Sequence, residues 1–153
     1  MLDRFDLDLL NIVQRDDSRT GDSLAAELPL SASAIARRLR RLRRDGWIAR
    51  TIAVLSPRLT RNRLRSVVLV RMTDVPARVA LERRLAQCDQ VQLCYEIAGP
   101  HDLMALFDCA NMAEFTEIEQ ELLASSPAVR RWETLFIKHE IKFAPFVSLG
   151  APA

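Results

Sequence analysis

Over the first fifteen residues Phe5, Leu9, Ile12 and Val13 recur at helical spacing among acidic and polar neighbours. Asp3 stands before the run as a cap and Asp6 follows in the first turn, where acids suit the helix dipole, so a helix is predicted over 3–15. Leu24, Ala25 and Leu28 mark one side of a short helix over 21–28, capped by Thr20 and ended by Pro29. At 100° per residue Ile35, Leu39 and Leu42 fall within about 60° of one another. They form the apolar stripe of a third helix over 32–44, with Ser31 as cap and Asp45-Gly46 as stop. Three helices with a tight turn between the second and third make a helix-turn-helix unit.

After Gly46 the pattern changes. Residues 47–55, WIARTIAVL, are apolar and β-branched and predict a strand; 56–65 hold Pro, Ser, Thr, Asn and Arg and predict a linker loop. Strands follow at 66–72, 91–98 and 103–109, with a turn at 99–102. A helix over 76–87 carries Val79, Leu81 and Leu85. Asn111 with Glu114 three residues on resembles a capping box that opens a helix over 112–124, and 129–143 reads as a long last strand. The order from 66 is β-α-β-β-α-β, the ferredoxin-like arrangement. The expected fold is therefore α+β. A helix-turn-helix domain spans 1–50, a linker strand and loop 51–65, and a ferredoxin-like βαββαβ domain 66–153.

Composition narrows the function classes. The chain has 153 residues, 49% hydrophobic and 27% charged, with four Gly and seven Pro, as in a globular protein. No run of 18 apolar residues is present, so no membrane span is expected, and MLDRFDLDLL lacks the basic region and apolar core of a signal peptide. Cytoplasmic localisation is the expectation. Cys88, Cys94 and Cys109 have no CxxC spacing, and His101 and His139 are the only histidines. Neither a disulfide framework, a metal site nor a cofactor is expected from them. Phe143, Phe146 and Val147 form an apolar tail expected to pack on another subunit.

Charge changes the picture more. Residues 1–65 carry a net +6 and 66–153 a net −4, while 37–65 hold eleven arginines against one acid. No Asp or Glu lies between 28 and 44, yet six arginines crowd the third helix. Like charges at i,i+3 and i,i+4 each cost roughly 0.2–0.5 kcal/mol. Opposite phosphates the same charges become favourable, because each neutralised phosphate releases counterions. The plainer reading is a solvated charged face; the absence of acids on the helix argues for double-stranded DNA as partner. A helix-turn-helix sets the N-terminal part of its second helix in the major groove. Ser33, Ala34, Arg37 and Arg38 are then the candidate base-edge neighbours, with Ser31 at the cap beside them. Arg40, Arg41, Arg43 and Arg44 are candidate phosphate contacts.

Several segments carry a wider resemblance. Leu2-Asp3-Arg4-Phe5-Asp6 with Leu9-Leu10, Leu30-Ser31 through Asp45-Gly46-Trp47-Ile48, Leu55-Ser56-Pro57, Cys94-Tyr95 through Ala98-Gly99-Pro100-His101-Asp102-Leu103, and Trp132-Glu133-Thr134 with Lys142 follow one another in order. Together they resemble the Lrp/AsnC family, the leucine- and asparagine-responsive (feast/famine) regulators of bacteria and archaea. The resemblance implies a helix-turn-helix followed by a βαββαβ effector-binding and oligomerisation domain. It also implies homodimers that associate to octamers or other rings, and a small effector, usually an amino acid, bound between C-terminal domains. Three positions depart from the family pattern: Pro29 and Thr60, where Gly is usual at or near them, and Trp132, where a Thr usually borders the effector pocket.

The candidate effector site is Gly99-Pro100-His101-Asp102. Gly admits close approach, free backbone N–H groups suit a carboxylate, and Asp102 suits an α-ammonium. Trp132 and Thr134 join from a neighbouring subunit. The competing reading is a plain hairpin turn with Asp102 bonded to its own backbone. The expected function is a sequence-specific DNA-binding transcriptional regulator modulated by such an effector, not an enzyme. One alternative is an architectural DNA-compacting protein, since Ser31–Ala36 offers few base-reading side chains. Another is an enzyme like the sirohaem decarboxylases, which resemble the family in fold but need basic and histidine groups that this chain barely supplies.

Overall fold

The computed structural model describes residues 1–73 and 75–150. They gather into two compact units: Met1–Val54 with the tail from Lys142, and Leu55–Ile141. The tail thus leaves the domain 66–153 to which the sequence assigned it, and the last residues of that range, 151–153, lie outside the described residues.

In the first unit α1 spans Arg4–Val13, α2 Gly21–Ala25 and α3 Ala32–Arg44. Asp3 and Asp6 form a complete capping box: each carboxylate accepts the other residue's backbone N–H, at 2.9 and 3.1 Å. Thr20 and Ser31 cap α2 and α3 as the sequence predicts. Leu9, Leu24 and Ile35 are buried at the centre, with Ile12, Leu28, Leu30 and Leu39 around them. α2 stops at Ala25, before the predicted 28, and residues 26–30 make the turn. No described residue other than glycine has positive φ, so this turn is built without a left-handed residue and Pro29 fits it. Gly46 has φ 78° and closes α3. Its N–H donates to Arg43 O and the Trp47 N–H to Leu42 O, the two bonds of a Schellman cap.

The predicted strand at 47–55 is absent. The segment begins with a bend at Trp47-Ile48 and pairs with no described strand, and Trp47, Ile52, Val54 and Leu55 are exposed. β-propensity cannot supply the neighbouring backbone that a ladder needs.

In the second unit the predicted linker contains a short helix, α4 (Pro57–Thr60), started by the Ser56 cap and Pro57 in the first turn. Then come β1 (Leu64–Met72), α5 (Val75–Gln87), β2 (Val91–Glu96), β3 (Leu103–Cys109), α6 (Met112–Glu119), a π-helical turn (Gln120–Ala124) and β4 (Val129–Phe136). The sheet is antiparallel with order β2-β3-β1-β4. The fold is α+β with the expected ferredoxin-like order. β4 ends seven residues before the predicted 143. Its pairing with β1 ends where Ser66 faces Phe136, and the Ile137 N–H bond to Arg65 O is the last rung. The Asn111 side chain accepts from Glu114 N, but Glu114 returns to Ala110 N rather than to Asn111, so the expected box is only half formed.

Val68, Val70, Leu103, Ala105 and Phe107 point from one sheet face into a core completed by Leu81, Leu85, Phe115, Leu122 and Leu123. Phe107 meets Phe115 edge to face at 5.9 Å, and Phe115 meets Phe136 at 5.5 Å. By alternation Val67, Leu69, Leu93, Tyr95, Met104, Leu106 and Leu135 lie on the other face, none of them fully buried.

Candidate nucleic-acid and effector sites

Six arginines ride on α3, but they are not equivalent. Arg38 Nη1 donates to Asp3 Oδ2 at 2.7 Å and to Asp6 Oδ1 at 2.8 Å; Arg41 bonds the other Asp6 oxygen. Asp6 is fully buried, and the Arg38 guanidinium also lies 5.7 Å from the Phe5 ring centroid. Bonds from Asp3 and Asp6 push the Arg38 pKa further up. Arg43 donates to Asp17 Oδ1 at 2.7 Å, and the other Asp17 oxygen accepts from the Thr51 hydroxyl at 2.9 Å. Arg44 meets only its neighbour Asp45.

The expected self-repulsion of this helix is therefore relieved from outside it, by acids on α1 and in the loop that follows. Arg37 and Arg40 remain exposed and pair with no acid among the described residues. Ser33, Arg37, Arg40 and Arg44 fall within about 60° of one another around the axis. They form one outward face, all four of them exposed. Ser31 is exposed at its start, its hydroxyl 3.1 Å from that of Ser33, and Ala34 is half-buried. Arg38 and Arg41, also named as DNA-facing candidates, turn instead toward α1. The roles of Asp3, Asp6 and Asp17 as arginine partners were not foreseen; their sequence positions suit helix capping and a loop equally well.

The loop between β2 and β3 is tied to β1. Asp102 Oδ2 accepts from Met72 N at 2.8 Å, Asp102 N donates to Val70 O, and Asp102 O accepts from Ile97 N. Arg71 Nη1 donates to Pro100 O at 3.0 Å. Gly99 has φ 155°, and His101 Nε2 lies 3.8 Å from Glu133 Oε2. The Asp102 carboxylate is bonded to the neighbouring strand rather than to its own turn, and its second oxygen carries no such bond among the described residues. Trp132 Nε1 and the Thr134 hydroxyl both donate to Glu119 Oε1, at 2.9 and 3.1 Å. They sit on the helix-covered face of β4. Glu133, which reaches His101, sits on the other. Within one chain the six candidate effector residues are therefore divided between the two faces of the sheet. Glu119 was missed as the residue joining Trp132 and Thr134; no spacing rule links it to β4. The second unit also has an open cavity of about 410 Å³, lined by Arg84, Cys88, Asp89, Gln90, Glu121 and Leu122 among others, which includes none of the six.

Comparison with known proteins agrees with this two-part layout. Residues 2–49 match the model of a winged helix-turn-helix DNA-binding domain, and 65–145 that of the Lrp/AsnC ligand binding domain. An uncharacterized HTH-type transcriptional regulator of Haemophilus influenzae is 29% identical over 92% of this chain and 85% of its own length. The leucine-responsive regulatory protein of the same organism is 27% identical over 97% and 90%. A transcriptional regulator of Neisseria meningitidis, solved as its complex with L-Met, superposes with a TM-score of 0.85 at 25% identity, over 98% of this chain and 97% of its own. The chain belongs to the Lrp/AsnC family of transcriptional regulators.

Proposed function

We propose that this regulator binds double-stranded DNA through the Ser33–Arg37–Arg40–Arg44 face of α3, under the control of a small effector such as an amino acid. The observation that carries the reading is the division of the arginines. Arg38 and Arg41 hold α3 on α1, while Arg37 and Arg40 stand exposed with no acid beside them, although free of the clamp they repel. Ser33, Ala34 and Arg37 lie in the N-terminal half that enters the major groove; Arg40 and Arg44, further along, meet phosphates.

The amino-acid effector is supported by the L-Met complex of the Neisseria meningitidis protein. In this chain the backbone of the Gly99–Asp102 loop receives the effector carboxylate and the free Asp102 oxygen its ammonium. Trp132 and Thr134 come from another copy, because within one chain they lie across the sheet from the loop. The apolar outer sheet face and the exposed, unpaired 47–55 segment support homodimers, with higher assemblies such as octamers built on them. We read the protein as a cytoplasmic regulator rather than an enzyme, with no cofactor.

One observation favours a second reading. The first turns of α3 present Ala32, Ala34 and Ala36 with Ser33 as the one polar side chain before Arg37, which suits an architectural DNA-compacting protein.

Fluorescence anisotropy of a labelled duplex from upstream of this gene, against a random duplex over a salt series, tests both. A regulator shows a log–log salt slope of about −0.9 per phosphate contact. It also prefers its own site by roughly 10³-fold or more. Arg37→Ala then relaxes that preference, and Arg40→Ala shallows the slope by about one contact. Equal affinity for all duplexes identifies the compacting protein, and no binding at moderate salt overturns both readings.

A further inference from the structure

We infer that α1 carries a binding site for an extended peptide backbone, and that its occupant is this chain's own tail, residues 145–150. Asn11 and Gln14 build it. Asn11 Nδ2 donates to Leu149 O and Asn11 Oδ1 accepts from Leu149 N, both at 2.9 Å. Gln14 Nε2 donates to Val147 O at 2.6 Å and Gln14 Oε1 accepts from Val147 N at 2.9 Å. Each side-chain amide thus matches the backbone donor and acceptor of one residue, as a neighbouring strand does. The spacing explains why. Residues three apart on a helix rise about 4.5 Å, and alternate residues of an extended chain advance about 6.6 Å. Flexible side chains close that gap, and Gln14 Nε2 also donates to Asn11 Oδ1 at 3.2 Å, which joins the two.

Two further contacts fix the tail. The Arg15 guanidinium lies 4.1 Å from the centroid of the Phe146 ring. Beneath the strand runs a groove of about 590 Å³, whose walls include Leu7, Leu10 and Val13 from α1 and Pro145, Val147 and Leu149 from the tail. Leu10 and Val13 are buried although they stand outside the Leu9–Leu24–Ile35 cluster. α1 therefore has a second apolar side, and the tail helps to cover it.

The clasp grips backbone, so it is indifferent to the side chains it passes. It also has a consequence for connectivity. β4, which carries Trp132 and Thr134, ends at Phe136, and the second unit ends at Ile141. A seated tail gives the helix-turn-helix unit a second tether to the sheet unit beside the 55–63 segment, and a released tail leaves one. This conclusion stands whether or not an effector binds near β4.

Amide hydrogen exchange on the full-length ¹⁵N-labelled protein tests it without DNA or effector. Val147 and Leu149 amides are expected to be protected, and Asn11→Leu with Gln14→Leu to lower that protection about tenfold. Val147→Pro leaves α1 intact, and it is expected to lower protection at Leu149 by a similar factor while Leu9 and Ile35 stay protected. Mixing labelled wild type with an excess of the unlabelled double variant is expected to change nothing, because the clasp is within one chain. Wild-type tail amides exchanging at unstructured rates overturn the site, as does protection that survives both variants. Protection lost on mixing overturns the assignment of the occupant.

Discussion

The first unit centres on Leu9, Leu24 and Ile35, with one carboxylate, Asp6, buried beside them. The second is built on twelve buried apolar residues; it too has a buried carboxylate, Asp108, bonded by Arg63 and Gln92, while Arg78 pairs with Glu82 and the exposed Glu96. Small helical units bury too little apolar surface to fix every helix by packing alone. Here an ionic clamp supplements the packing, and it draws on the same residue type as the proposed DNA face. Arginine content thus overstates the proposed DNA face of α3, because Arg38, Arg41 and Arg43 are bonded to acids of α1 and the following loop. In the sheet unit no such conflict arises, since Arg63, which bonds the buried Asp108, is no part of the candidate site of loop and strand margins.

The largest way to break this contrast is in the sheet unit. Phe107 is fully buried against Phe115, and Phe107→Ala is expected to cost about 3–5 kcal/mol in denaturant unfolding. A loss under 1 kcal/mol would show that the aromatic stack is not the support described. In the helical unit Asp6→Asn keeps the shape and removes the charge shared by Arg38 and Arg41. Both arginines are partly solvated, so the loss is expected near 2 kcal/mol, less than for a fully buried pair. A double-mutant cycle of Asp6→Asn with Arg38→Ala should fall well short of additivity. Arg37→Ala, by contrast, is expected to leave the melting temperature unchanged while altering DNA binding.

What the sequence made legible follows the range of the interaction. The caps at Asp3, Thr20 and Ser31 and the Gly46 stop are local, and the helices they bound were readable. So was the βαββαβ order, which rests on periodicity. The missed features all depend on distant partners. WIARTIAVL has strand composition but no neighbour in the chain, and 137–143 extends past the end of the pairing with β1. The bonds of Arg38 and Arg41 to Asp6 span 32 and 35 residues. For the candidate effector site, the loop could be located from Gly99 and Asp102. Its relation to Trp132 could not, since which face of β4 carries that residue depends on register.

A subtler test lies in the pH dependence of the sheet unit. The Ala110 N–H and the Gln90 amide hold the Glu114 carboxyl below its ordinary value of 4.5. A carboxyl lowered on folding stabilises the protein above its unfolded pKa, and that contribution is lost as pH falls through the folded value. Glu114→Gln is therefore expected to melt earlier than wild type at pH 7, with the difference shrinking below about pH 4.5. A difference that stays constant down to pH 3 would mean the charge has no part in it.

The smallest expected effect sharpens the contrast from the other side. Ser66 faces Phe107 on β3 and Phe136 on β4 from the middle of the sheet, and its buried hydroxyl has no hydrogen-bond partner among the described residues. The buried carboxylates of both units, Asp6 and Asp108, are bonded by arginine; the Ser66 hydroxyl is not. Burying an unpaired hydroxyl costs roughly 1–3 kcal/mol. Ser66→Ala removes that cost and leaves a gap of one oxygen atom, so the two terms partly cancel. A gain between zero and about 1 kcal/mol in denaturant unfolding is expected. A clear loss of stability would show that the hydroxyl is paired in solution, and the polar groups of the two cores would then follow the same rule.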